Sequence, residues 1–180
     1  TTTIETDSGL NRKLPPIEDI EDPPIIKQKN IFTVVVNKNN HLLAEEELTE
    51  ILDLRALAVE FLDNGGGEGE EACDYCQGSG DPKSSDNPDK AIISLKNDRE
   101  TSYKVYIAVQ NELVAAYNVL RDREFMRLFP NERITFVEAN KKYSDPRTSP
   151  EEKLRLRSKL SEIKLLFPQK LSEAEPSKTN

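Results

Sequence analysis

Apolar residues are spread unevenly along this chain, and their spacing changes character several times. Residues 1–29 carry neither a helical nor an alternating pattern; Leu14-Pro15-Pro16 and Pro23-Pro24 bracket the acidic run from Ile17 to Asp22. Proline removes an amide donor and fixes φ, so this stretch favours polyproline-like conformers and reads as a flexible tether. At Asn30 the pattern tightens. Ile31-Phe32-Thr33-Val34-Val35-Val36 is β-branched and aromatic and closes on Lys38-Asn39-Asn40, which predicts a strand and a tight turn. His41–Ala44 and Glu47–Glu50 fit short partner strands, although the glutamates of 45–50 could equally open a helix.

From Asp53, a plausible N-cap, the residues Leu54, Leu57, Ala58, Phe61 and Leu62 recur at the spacing of one helix face, and Asn64-Gly65-Gly66-Gly67 ends it. Residues 64–88 are rich in Gly, Asp, Ser and Pro and contain both cysteines, so they predict a long inserted loop. Ala91–Leu95 reads as a second strand. Tyr106, Val109, Leu113, Ala116, Tyr117 and Leu120 set a helical period over about Tyr103 to Leu128. Thr135-Phe136-Val137-Glu138 has the form of a capping box and predicts a short helix to about residue 142. Ser149-Pro150-Glu151-Glu152 is a second start signal, followed by Leu156, Leu160, Ile163 and Phe167 on one face, with Pro168 as the stop. Lys170–Ala174 fits a final short strand. Each helix has a single apolar face, so the economical packing is an α+β, two-layer domain over residues 30–176, with a mixed β-sheet, helices on one face and a short polar tail at 177–180.

Composition narrows the function. The chain has 180 residues and a net charge of −8, so it repels phosphate backbones, and no basic cluster with interleaved aromatics argues for nucleic acid. It opens on Thr1, and its only methionine, Met126, lies inside a helical pattern. No stretch approaches the roughly 20 apolar residues that cross a bilayer. The sequence therefore reads as a fragment whose anchor or export signal lies elsewhere.

The sharpest local motif is Cys73-Asp74-Tyr75-Cys76-Gln77-Gly78-Ser79-Gly80. It resembles half of a chaperone-type zinc knuckle, but structural zinc takes four ligands, and two cysteines with the lone His41 cannot complete one within a single chain. A thiol-disulfide oxidoreductase using Cys73 and Cys76 is a second reading; Glu68, Glu70, Glu71 and Asp74 argue against it by disfavouring the thiolate. The third is a local disulfide in a loop, natural in an oxidising compartment, where so short a ring stabilises the loop alone. Hydrolysis by a Ser-His-Asp set would have to use His41, beside a strand turn. No phosphate-binding loop is present, because Gly65-Gly66-Gly67 follows a helix. The acidic run Glu45–Glu50 lacks the spacing of a calcium loop and reads as a solvated face. No catalytic residue, metal or cofactor is assigned.

Taken in order, these pieces resemble the periplasmic domain of the ExbD/TolR family. Leu14-Pro15 is similar to the family's segment outside the membrane, Ile31–Val36 with Asn39-Asn40-His41-Leu42-Leu43 to its first strand and hairpin, and Asp53-Leu54-Arg55 to the start of its first helix. Asn87-Pro88-Asp89-Lys90-Ala91-Ile92-Ile93-Ser94-Leu95 resembles the lead into the central strand. Gln110-Asn111-Glu112-Leu113, Tyr117-Asn118 and Phe167–Pro176 look like a branch with a Cys-x-x-Cys insertion, although residues 128–167 are longer than the family's usual link. The resemblance implies a non-enzymatic subunit held in the inner membrane by one helix outside this fragment. That subunit works beside an ExbB-type protein as a homodimer and uses the proton-motive force to act on a TonB-type partner. Leu14, Pro15, Pro16 and the strand residues Ile31, Val34 and Val36 are the expected partner contacts, through strand addition at a sheet edge. A TolR-like or motility-stator-type subunit gripping peptidoglycan is the alternative in the same compartment.

Overall fold

The computed structural model describes residues 25–174. Its five strands are β1 (Ile31–Val36), β2 (Leu42–Ala44), β3 (Glu47–Thr49), β4 (Ile92–Asn97) and β5 (Leu171–Ala174), in the sheet order β3-β2-β1-β4-β5. β1 pairs antiparallel with β2 and parallel with β4, and β4 pairs parallel with β5, so the sheet is mixed. Burial alternates along β1: Phe32, Val34 and Val36 are buried, and Ile31, Thr33 and Val35 are half-exposed. Side chains in a strand point alternately to opposite faces, so one face alone carries the core.

Four helices follow: α1 (Ile51–Leu62), α2 (Tyr103–Leu128), α3 (Phe136–Ser144) and α4 (Pro150–Leu166). Leu54, Ala58, Phe61 and Leu62 of α1 and Val109, Leu113, Ala116, Tyr117 and Leu120 of α2 close over Phe32, Val34, Val36, Ile93 and Leu95. The architecture is therefore α+β, with helices on one face of the sheet. At 26 residues α2 is about 39 Å long. Its C-terminal half runs past the main core, and Phe125 there joins Phe136, Ala139, Leu156, Leu160 and Ile163 in a second cluster. The additional length between α2 and β5 thus folds as a small lobe on the far end of α2.

Several element ends follow local chemistry. The Thr135 hydroxyl accepts from the Glu138 amide while the Glu138 carboxylate accepts from the Thr135 amide, and Ser149 caps α4 ahead of Pro150. α1 departs from expectation. It begins at Ile51, two residues before Asp53, with Glu50 in the cap position and no side-chain cap bond. Leu57, expected on the apolar stripe, is 36% exposed and outside the core cluster. The glutamate-rich stretch is a strand and turn: Glu45 and Glu46 take φ of +50° and +70°, the conformation of a two-residue hairpin turn.

Candidate partner-binding surface

The expected contact residues fall into two groups. Leu14, Pro15 and Pro16 lie outside the described residues. Val34 and Val36 have strand partners on both sides and Ile31 pairs with Ile92, so β1 is an inner strand, which corrects the expectation of strand addition at an edge there. Val34 sits opposite Ala44 on one side and Leu95 on the other, and Val34 and Val36 are 0% exposed. β1 was readable as a strand, but its place in the sheet depends on pairing with β4, some sixty positions along the chain. Among the described residues, the edges of the sheet are β3 and β5.

Of these, β5 is tied to α2 by side-chain hydrogen bonds. The Lys170 amide donates to the Tyr117 hydroxyl at 3.2 Å, and Gln110 Nε2 donates to Glu173 at 2.7 Å, so α2 fixes β5 at both ends. Ser172 and Glu173 are exposed. A polar, anchored, parallel edge can accept an extended peptide by main-chain hydrogen bonds, because the sheet loses no order in receiving it.

The chain enters the head beside this edge. Gln28–Asn30 form a single 3-10 turn before β1, so part of the stretch expected as tether engages the domain. The Asp86 carboxylate is nearly buried and pairs with Lys29, with Lys27 at 3.5 Å, and accepts from Asn30 Nδ2 at 3.0 Å. Burial pushes this carboxyl up, but the hydrogen bonds from Lys29 and Asn30 and the two ammonium charges outweigh it, holding it below the usual carboxylate value. In return the Asn30 side-chain oxygen accepts from the Asp86 amide at 2.8 Å. Ile25, Ile92 and Lys170 line a cleft of about 320 Å³ next to this clamp.

Residues 64–88 are built more tightly than their composition implies. Asn64 organises them: its Nδ2 donates to the carbonyls of Asp81 and Ser85, and its Oδ1 accepts from the Asp81 amide and the Ser79 hydroxyl. A side chain at Gly66 would stand 2.2 Å from the Asp81 carbonyl oxygen, which is why no larger residue fits there. Cys73 and Cys76 are joined as a disulfide. Between them, Tyr75 reaches away from the loop to the end of α4, where its ring meets Phe167 edge-on at 5.6 Å.

Beneath the loop lies an ionic cluster that sequence reasoning missed. Arg123 grips both oxygens of Asp63 at 2.6 and 2.9 Å and also reaches Glu124, which is 0% exposed and held from its other side by Arg127. Nearby, the buried Arg121 donates twice to the Phe167 carbonyl, at 2.9 and 2.8 Å, and stacks over Phe136. Its guanidinium ties the main core to the small lobe. A signal existed in Arg121-Asp122-Arg123-Glu124, since four consecutive charges in a helix cannot all face solvent when both flanks are apolar.

Among the described residues, no group of three or more His, Cys, Asp or Glu side chains is placed to hold a metal, and no helix is long and apolar enough to cross a membrane. His41 is exposed beside the first turn. A groove of about 690 Å³ between α1 and α2 is lined by Leu52, Val59 and Val119 with the Arg55–Glu112 ion pair at its rim. No family model matches the chain, and no curated protein does.

Proposed function

We propose that this chain is the periplasmic head of an ExbD/TolR-type subunit, which couples the proton-motive force to outer-membrane transport by touching partner proteins and carries out no bond chemistry of its own. Two things support the reading: the order of sequence motifs that resemble the family, and a mixed sheet shielded by helices on one face with a supported free edge at β5. The second is the single observation that carries the mechanism. A pull on a partner needs a rigid surface to act on, and β5 is fixed by α2 through Tyr117 and Gln110. In this account a TonB-type segment adds as a strand beside β5, while Leu14, Pro15 and Pro16 of the tether supply further contact. An ExbB-type subunit and a second copy of the chain complete the assembly through a membrane helix outside this sequence.

Site-specific photo-crosslinking in an envelope containing the TonB-type partner tests this. Crosslinks are expected from Ser172 and from position 15, and none from Val34, which is inside the sheet. Crosslinking from neither of the first two positions removes the proposed contact.

A further inference from the structure

The charge of this chain is unevenly placed. Residues 121–167 hold 12 Lys and Arg against 8 Asp and Glu, net +4, within a chain whose overall charge is −8. Three of these cations form a stripe along α4. Lys153, Arg157 and Lys164 stand at i, i+4 and i+11, within about 40° of one another around the helix axis. None of the three forms an ion pair among the described residues. Lys153 does lie close enough to Asp145 to lower its pKa, but Asp145 is already paired with Arg147. Beside the basic stripe run Leu154 and Leu165, 69% and 78% exposed, on the side of the helix away from Leu156, Leu160 and Ile163. A helix already packed through its apolar face thus presents a stripe of three cations and, beside it, two bare leucines, with the exposed Glu151 and Glu162 on the far side of the leucines.

We propose that this face is the docking site for the acidic segment Ile17-Glu18-Asp19-Ile20-Glu21-Asp22 of the same chain. The segment lies outside the described residues, and its composition is the complement of the surface: four carboxylates for the three cations, and two isoleucines for the two leucines. Reach is sufficient. β1, β4 and β5 are parallel, so β1 and β5 start at the same end of the sheet, two strand spacings or about 10 Å apart, and Ile25 and Lys170, four residues after the end of α4, line one cleft. From Ile25 back to Asp22 a chain spans up to about 10 Å, and from Asp22 to Ile17 up to about 17 Å. The stripe from Lys164 to Lys153 is about 16 Å long. An extended segment from Asp22 to Ile17 is therefore long enough to run along the stripe from Lys164 towards Lys153. Such docking would hold the segment ahead of Ile25 against the domain until salt or a competing partner releases it. This contact is independent of the coupling reading and stands or falls without it.

The test uses the full chain with a photoreactive benzoylphenylalanine at position 20. Intramolecular crosslinks into residues 153–165 are expected, with a yield that falls several-fold between about 20 mM and about 500 mM salt, because exposed charge pairs are screened. The triple variant K153E/R157E/K164E should lose them, and adding E18K/D19K/E21K/D22K should restore them; circular dichroism and melting confirm that both variants fold. Crosslinks to other elements, crosslinks that form only between chains, or a yield unchanged in the triple variant would each overturn the proposal. So would triad-dependent binding to vesicles containing phosphatidylglycerol in the absence of an intramolecular crosslink, since α4 would then be a membrane-facing surface.

Discussion

The Tyr75 hydroxyl donates to the main-chain carbonyl of Leu166 at 2.6 Å, across 91 positions of sequence. Through this bond and the contact of its ring with Phe167, the cysteine loop holds the end of α4 and the start of the path into β5. Tyr75→Phe removes it while keeping the ring on Phe167, so a loss of about 1 kcal/mol in urea unfolding is expected. The same tyrosine contributes a pH dependence. Burial first, then repulsion from Asp74, Asp89, Glu124 and Asp63, raises its pKa from 10.0 to about 12, and burial raises Tyr117 to about 12 despite the Lys170 amide and Arg121. A phenol with a raised folded-state pKa binds its proton more tightly in the native state. Its contribution is complete below about pH 10 and is lost as pH climbs through about 12. Tyrosinate absorbance followed beside circular dichroism should show a shallower alkaline loss of stability in Tyr75→Phe.

Arg123 is shared by Asp63 and the fully buried Glu124. Arg123→Met keeps the stem but leaves both carboxylates short of a partner, and breaking a buried pair from one side costs about 3 kcal/mol or more. Thermal melting should show that loss. Arg147→Met, whose side chain is 90% exposed, should be near neutral.

Glu46 holds φ at +70° in the β2–β3 turn, where an L side chain crowds its own backbone. Its neighbour Glu45 has a use for its side chain, which accepts from the Thr33 amide. Glu46→Gly should therefore stabilise the protein by about 1 kcal/mol, while Glu45→Gly should give less because that bond goes with it. Chemical denaturation of the two variants in parallel checks the difference.

Reducing the Cys73–Cys76 bridge should cost at most about 2 kcal/mol, because it closes a ring of only four residues. The loop keeps its shape by other means, namely Asn64, Tyr75 and the close backbone approach at Gly66. Native exchange of the Gly66 and Gly67 amides, which donate to Ser85 and Asp86, should stay slow after reduction. Insulin reduction by the chain and by Cys76→Ser should be equally absent.

Local signals carried most of the element list. The β-branched run at Ile31, the period from Tyr103 to Leu128, the Thr135–Glu138 capping box and the Ser149-Pro150 start each depend on residues a few positions apart, and each produced an element where expected. What escaped was long-range or locally unfavourable. The order of strands places β1 in the centre and depends on its register with Ile92 to Asn97, which no nearby residue encodes. The Glu45-Glu46 turn lacks any Gly or Asn to mark it. Asn64 reads as a helix stop, yet its side chain satisfies four groups up to twenty-one positions away. The ionic cluster at Asp63, Arg123 and Glu124 needed the crossing of α1, the loop and α2 to become visible.

The most direct measurement of the coupling account is purification of the natural, full-length protein from gently solubilised envelopes, with its mass and companions determined. The account predicts a membrane-extracted dimer accompanied by a polytopic ExbB-type subunit and carrying one apolar helix ahead of Thr1. A monomer recovered from the soluble fraction, with no such helix and no membrane companion, would contradict it.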